Sequence, residues 1–283
     1  QKFLMHHCYQ LNQKKHISKT SRLNYNLLLN GGEIANRQHY VPKFIINRFK
    51  IKGKPLYYYN FETHEYKNKS DKVFSEFKGW DNDFENKLNH IEDTVSNLIS
   101  QLANSNLLTE VALEIKSMTI DEKQALYTFM LIQSFINPNK TNDKMYFDNI
   151  KNLINNKVGR NLNLKFYYFK ISKIAEVNKT FVLTDTPAVP EWEFLTFAES
   201  EPGILPHYLI VSPKELIFYG GEQHAIKLCE FAYNKTNNFN LLNIAVNKGK
   251  CEIIASNKVL LEALVEYYLS NHDQYNTRWN FIR

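Results

Sequence analysis

The chain of 283 residues has only three cysteines, Cys8, Cys229 and Cys251. They are too few and too scattered for a disulfide framework, and no C-x-x-C pair marks a thiolate zinc site. A reducing, cytoplasmic setting is the natural expectation. No apolar run approaches the roughly 20 residues that a membrane span requires. The first residues, which begin at Gln1, show no apolar h-region followed by a small-residue cleavage site, so no signal peptide is expected. Missing too are G-x-x-x-x-G-K-[ST], G-x-G-x-x-G, H-E-x-x-H and G-x-S-x-G. P-loop nucleotide hydrolysis, dinucleotide chemistry, zincin proteolysis and the α/β-hydrolase nucleophile are thereby disfavoured. Internal repeats and low-complexity segments are also absent.

Acid is missing from one place in particular. Residues 1–32 carry Lys2, Lys14, Lys15, Lys19 and Arg22 and no Asp or Glu, whereas the whole chain has a formal net charge of +6. The body is therefore nearly neutral, and the basic character belongs to an N-terminal arm. Such an arm can contact nucleic acid through phosphates and counterion release. Residues 33–283 read as one domain, long enough for a substantial core.

What is present is 43% hydrophobic and 14% aromatic. After the Gly31-Gly32 turn, "RQHYVPKFIINRFKI" reads as an extended segment leading into a short helix. Pro42 suits the helix start, where its missing N–H costs nothing, and Phe44, Ile45 and Phe49 would face the core. "KPLYYYNFETHEYKNKS" alternates as a strand or hairpin. In "DNDFENKLNHIEDTVSNLISQLANSN", Phe84, Leu88, Ile91, Val95, Leu98 and Leu102 recur at spacings of three and four, the pattern of an amphipathic helix. "TEVALEIKSM" reads as further helix. Asp121 would cap the more apolar "EKQALYTFMLIQSFINP", and "KTNDKMYFDNIKNLINNKVG" would close a helical block over residues 80–159. "LKFYYFKIS", "KTFVLTDTP", "PHYLIVSPKELIFYGG" and "CEIIAS" then read as strands, and "NKVLLEALVEYYLSN" as a last helix. The pattern predicts an α+β fold, with the helical block packed on a small mixed or antiparallel sheet.

Five of these pieces fall in a recognisable order: "RQHYVPKFIINRF", "WDNDFENKLNHIE", "QSFINP", "FVLTDTPAV" and "ILPHYLIVSPKELIFY". In that order they resemble the family known as domain of unknown function 4238, over about residues 36–256. The resemblance implies a mostly bacterial, soluble protein and brings no established reaction. His39 and Pro42 match the family's opening motif, Glu85 and Glu92 the acidic positions of its long helix, and Asp185 with Pro187 its Asp-x-Pro. Where similar sequences often carry Arg three residues after the Gln of the buried helix, this chain has Ile136 after Gln133.

Chemistry-bearing candidates follow from residue type and position. His39, beside an aromatic and two arginines, suits a general base or metal ligand, or a buried histidine bonded to backbone. Glu85, Asn89 and Glu92 share one helical stripe, which suits a divalent cation or a positioned water, or simply a solvated face. Asp185 ends a strand before a Pro, a place for a catalytic acid or for a turn-capping Asp. The expectation drawn from them is a hydrolase acting on phosphodiesters, a nuclease of toxin or phage-defence type. Its catalytic residues would be His39, Glu92 and Asp185. Arg37, Gln38, Arg48 and Gln133 would hold the substrate, and Glu85, Glu92 and Asp185 would ligate Mg²⁺ or Mn²⁺. The alternative is a non-catalytic ligand- or protein-binding module, in which the same residues are turns and caps.

Overall fold

The structure, a computed structural model, describes residues 38–39, 41–52, 54–68, 74–76, 82–105, 111–135, 148–149, 151–152, 155, 165–171, 179–190, 207–245 and 252–271. All of them fall within the one compact unit of residues 37–283. The basic arm of residues 1–32 lies outside the described residues.

The chain enters through β1 (Gln38–His39) and α1 (Lys43–Arg48). Pro42 stands at the N-cap, as its fixed φ favours. Ile45 and Phe49 are fully buried, Ile46 nearly so, and Phe44 half-buried. The Tyr-rich stretch forms a hairpin of β2 (Tyr57–Asn60) and β3 (Glu65–Lys67). The Oδ1 of Asn60 accepts from the N–H groups of Glu62 and Thr63 at 2.8 and 2.9 Å and so closes its turn. A two-residue strand, β4 (Ser75–Glu76), pairs antiparallel with β1.

The long amphipathic stretch is α2 (Asn82–Asn104), burying Leu88, Val95, Leu98 and Leu102 as its spacing requires. Beyond it the expectation fails. "TEVALEIKSM" contains β5 (Leu113–Glu114), because its backbone is taken up by strand pairing to Tyr167 and Tyr168. Tertiary pairing overrides the helical propensity of its Glu, Leu and Ala residues. The next helix, α3 (Ile120–Phe135), is capped by Thr119 rather than Asp121. Thr119 and Glu122 form a capping box. The Thr119 Oγ1 accepts from the Glu122 N–H at 3.2 Å, and a Glu122 carboxylate oxygen accepts from the Thr119 N–H at 2.7 Å. Thr119→Ala should lower stability by about 1 kcal/mol, readable in urea unfolding as a lower midpoint at unchanged slope.

Of the third expected helix, Asp148, Asn149, Lys151, Asn152 and Asn155 are helical; its other residues lie outside the described ones.

Five strands follow as expected: β6 (Phe166–Lys170), β7 (Leu183–Thr184), β9 (His207–Ser212), β10 (Glu215–Tyr219) and β11 (Glu252–Ala255); a further one, β8 (Ala188–Pro190), lies just past the stretch read as strand. Between β10 and β11 stand two helices for which the sequence reading assigns nothing, α4 (Glu222–Asn234) and α5 (Thr236–Ala245). The chain then forms α6 (Lys258–Ser270), whose N-cap Asn257 accepts from the Val259 N–H at 2.9 Å.

The sheets are antiparallel throughout. One has the order β5-β6-β10-β9-β8 and the other β3-β2-β11-β7. Both faces of β9 and β10 are covered, so every residue of these strands is buried. That explains their near-continuous apolar sequence, which resembles a buried strand more than a half-exposed one. On the second sheet, α6 packs against β2 and β11. The α+β expectation holds, and the sheets are antiparallel rather than mixed.

Candidate functional site

Helix α3 is the element around which the candidate segments gather. Its residues from Leu126 to Ser134 are all buried. On one side Tyr127 meets Tyr219 of β10, with ring centroids 4.7 Å apart. On another side Phe129 meets Phe44 of α1, with centroids 5.8 Å apart. Helix α2, which carries Glu92, packs along α3, and α3 in turn packs on β8 and β9. Helix α1 also packs on β9. The segment after His39, the helix that carries Glu92 and the strand after Asp185 thus converge on one buried helix.

Asp185 sits where the chain leaves the four-stranded sheet and joins the five-stranded one. β7 ends at Thr184 and β8 begins at Ala188. The turn is tied by its own threonine: the Thr184 hydroxyl donates to the Thr186 carbonyl at 3.1 Å. The Pro187 carbonyl accepts from the Ile210 N–H at 3.0 Å and anchors the turn to β9. Asp185 is 0% exposed. A carboxylate is seldom buried so completely without a task, structural or chemical.

Gln133 is more unusual. It is 1% exposed, and neither its Oε1 nor its Nε2 has a hydrogen-bond partner among the described residues. It lies four residues beyond Phe129, one helical turn along the same face. That face is the one that meets α1. A buried, unpaired amide carries the desolvation penalty of both atoms, about 1–3 kcal/mol for each unmade bond.

Glu92 is half-buried, one turn after Leu88 and just before Val95. It therefore borders the core-facing stripe, while Asn89 and His90 are exposed. Glu85 is placed by its backbone in α2, and Gln38 and His39 by their pairing with Glu76 and Ser75. Arg37 and Ile136 lie outside the described residues. Among the described residues, no three His, Cys, Asp or Glu side chains form a group that could hold a metal ion. A metal role for Glu85, Glu92 and Asp185 rests on side chains beyond those described, and no step is routed through a metal below.

Arg48, expected to hold substrate, has a protein partner. Its Nη2 donates to Glu215 at 2.5 Å and its Nε to the Val211 carbonyl at 3.1 Å. Glu215 also accepts from the Tyr168 hydroxyl at 2.6 Å, and the Lys170 Nζ lies 3.6 Å away. Burial works against the charge of Glu215. The hydroxyls of Tyr168 and Ser212 and the Arg48 guanidinium outweigh it, and hold the carboxyl below its ordinary range. Burial and the neighbouring Glu215 push the Tyr168 hydroxyl well above its usual value. This network fastens α1 to the five-stranded sheet. The sequence holds one signal for it, an acid inside the otherwise apolar "ELIFY", which was not singled out. A second network, also missed, lies on α5. Asn240 donates to the Thr180 carbonyl at 2.8 Å and accepts from the Val182 N–H at 3.1 Å, and Asn243 accepts from the Tyr208 hydroxyl. Cys229 is buried, and burial, with Glu230 nearby, pushes its thiol up to about 12.

The model of the family described as "Protein of unknown function (DUF4238)" matches residues 37–161. The family indicated by the opening motif is therefore supported over β1 to α3 and the helical residues that follow. The match stops short of Asp185 and Pro187. Neither a curated protein nor a solved structure matches the chain.

Proposed function

On the premise that residues 37–161 are a DUF4238-family segment, we propose that the chain is a hydrolase acting on phosphodiesters, a nuclease of toxin or phage-defence type. The observation that carries this reading is Gln133: a buried amide with neither atom paired, on the helix where the segments of His39, Glu92 and Asp185 gather. Sites that bind and transform a substrate keep polar groups unpaired until the substrate supplies their partners. The basic arm of residues 1–32 supports an anionic polymer as that substrate. Phosphodiester hydrolysis needs a base that takes a proton from the attacking water, and an acid that returns one to the leaving oxygen. His39 is the base in this reading, and Asp185 and Glu92 are the acids.

The test is incubation of the purified chain with single- and double-stranded DNA and RNA, in Mg²⁺, Mn²⁺ or chelator. Cleavage is expected, and His39→Ala should slow it by roughly 10²-fold or more. Intact nucleic acid under every condition, or unchanged cleavage by His39→Ala, would sink the reading.

One observation favours a second reading, a ligand-binding module without chemistry. Arg48, the described arginine nearest in sequence to His39, is matched by Glu215 within the protein. Under that reading, His39→Ala lowers the melting temperature and changes nothing else specific.

A further inference from the structure

We propose that the Gln133 amide reads a nucleobase edge. The inference rests on the phosphodiester reading above and specifies which part of the substrate the buried helix recognises. A primary amide presents one acceptor and one donor side by side in one plane. In Gln133 both are buried and, among the described residues, both lack a partner. The next residue on the helix contrasts with it. Ser134, its neighbour, donates to the Leu131 carbonyl at 2.8 Å and is satisfied within α3.

The two-atom deficit selects the ligand. A phosphate oxygen could accept from Nε2 but would leave Oε1 unpaired. A cation could satisfy Oε1 but would leave Nε2 unpaired. A planar edge with an N–H beside a ring acceptor satisfies both at once, the bidentate match that Gln and Asn make with bases. Phe129, one turn before Gln133 on the same side of α3, and Phe44 of α1, which packs against it, are rings of the kind on which bases stack. Both amide atoms are closed off from solvent, so a base reaches them by displacing the side chains over this part of α3.

The test uses the full chain, the four common nucleoside monophosphates and inorganic phosphate, with thermal shift and calorimetric titration. At least one nucleotide should raise the melting temperature of the unaltered chain, and inorganic phosphate should not. Gln133→Met fills the same space without polar atoms. It should weaken that nucleotide's binding at least about 10-fold, since a good bidentate pair is worth that much. It should also melt a few degrees higher when unliganded, because a buried unpaired amide is gone. Gln133→Glu, which offers two acceptors and no donor, should likewise lose binding. Three results overturn the proposal: no nucleotide binds, either variant binds as well as the unaltered chain, or Gln133→Met melts lower. The last would mean that a fixed internal water already satisfies the amide. Cleavage of nucleic acid without binding of any nucleotide would leave the hydrolase reading standing and remove this inference. Binding without cleavage would do the reverse.

Discussion

Glu215→Ala should lower the stability of the protein by about 3 kcal/mol, at the lower end of the range for breaking a buried ion pair, because Arg48 keeps some contact with water. The side chains of Arg48 and Glu215 are 21% and 6% exposed. Removing the carboxylate leaves four groups behind, the Ser212 hydroxyl among them. Arg48 loses its counter-charge, the buried Tyr168 hydroxyl loses its acceptor, and Lys170 loses the nearest anion. Thermal melting reads the loss as a fall of roughly 6–12 °C. The pH dependence carries the sign. The carboxyl of Glu215 is held below its unfolded value. Its contribution is therefore fully present above the unfolded pKa and is lost as pH falls through the folded one. The gap between the unaltered chain and Glu215→Gln should be widest near neutrality and narrow below about pH 4. A gap that widens in acid would contradict the network. Because α1 follows directly on the His39 segment, the same substitution should loosen that segment and reduce cleavage as well.

Asp185→Asn should reduce cleavage by roughly 10²–10⁴-fold, the range for a general acid or base. Asn keeps the size and the hydrogen-bonding reach of Asp but can neither carry the charge nor return a proton. The substitution is therefore sharper than truncation. Asp185 is sealed at the turn between the sheets, and Asp185→Ala would confound a lost proton donor with a cavity. In the binding-module reading, Asp185→Asn lowers the melting temperature through the turn it supports, and no activity exists to be lost.

Much of the fold was legible where periodicity was strong. The stripe from Leu88 to Leu102 gave α2, and the aromatic, β-branched runs gave β6, β9 and β10. The reading failed where tertiary pairing decided. Leu113 and Glu114 are good helix formers, yet they pair with Tyr168 and Tyr167. Thr119 was passed over as the cap in favour of Asp121, although T-x-x-E spells the capping box. Residues 221–250 mix Asn, Lys and apolar residues without a clean stripe, and two helices went unread there.

The candidate site was legible as a set of residues and not as an arrangement. Gln133, Glu92 and Asp185 stand far apart in sequence, and only the packing of α2, α1 and β8 on α3 relates them. That Gln133 would be buried without a partner could not be read from "LIQSF". An amide in an apolar helix is equally consistent with a bond to a neighbouring backbone. The commitment of Arg48 to Glu215 was also hidden, because it joins residues 167 positions apart.

In the proposed reading, the segments gathered on α3 make one catalytic site. That reading is tested most directly by the time course of DNA and RNA cleavage by the unaltered chain and by Asp185→Asn, at equal concentration and below both melting transitions. Cleavage by the first is expected, with a rate at least about 100-fold lower for the second. Equal rates for the two would contradict it, as would nucleic acid left intact by both.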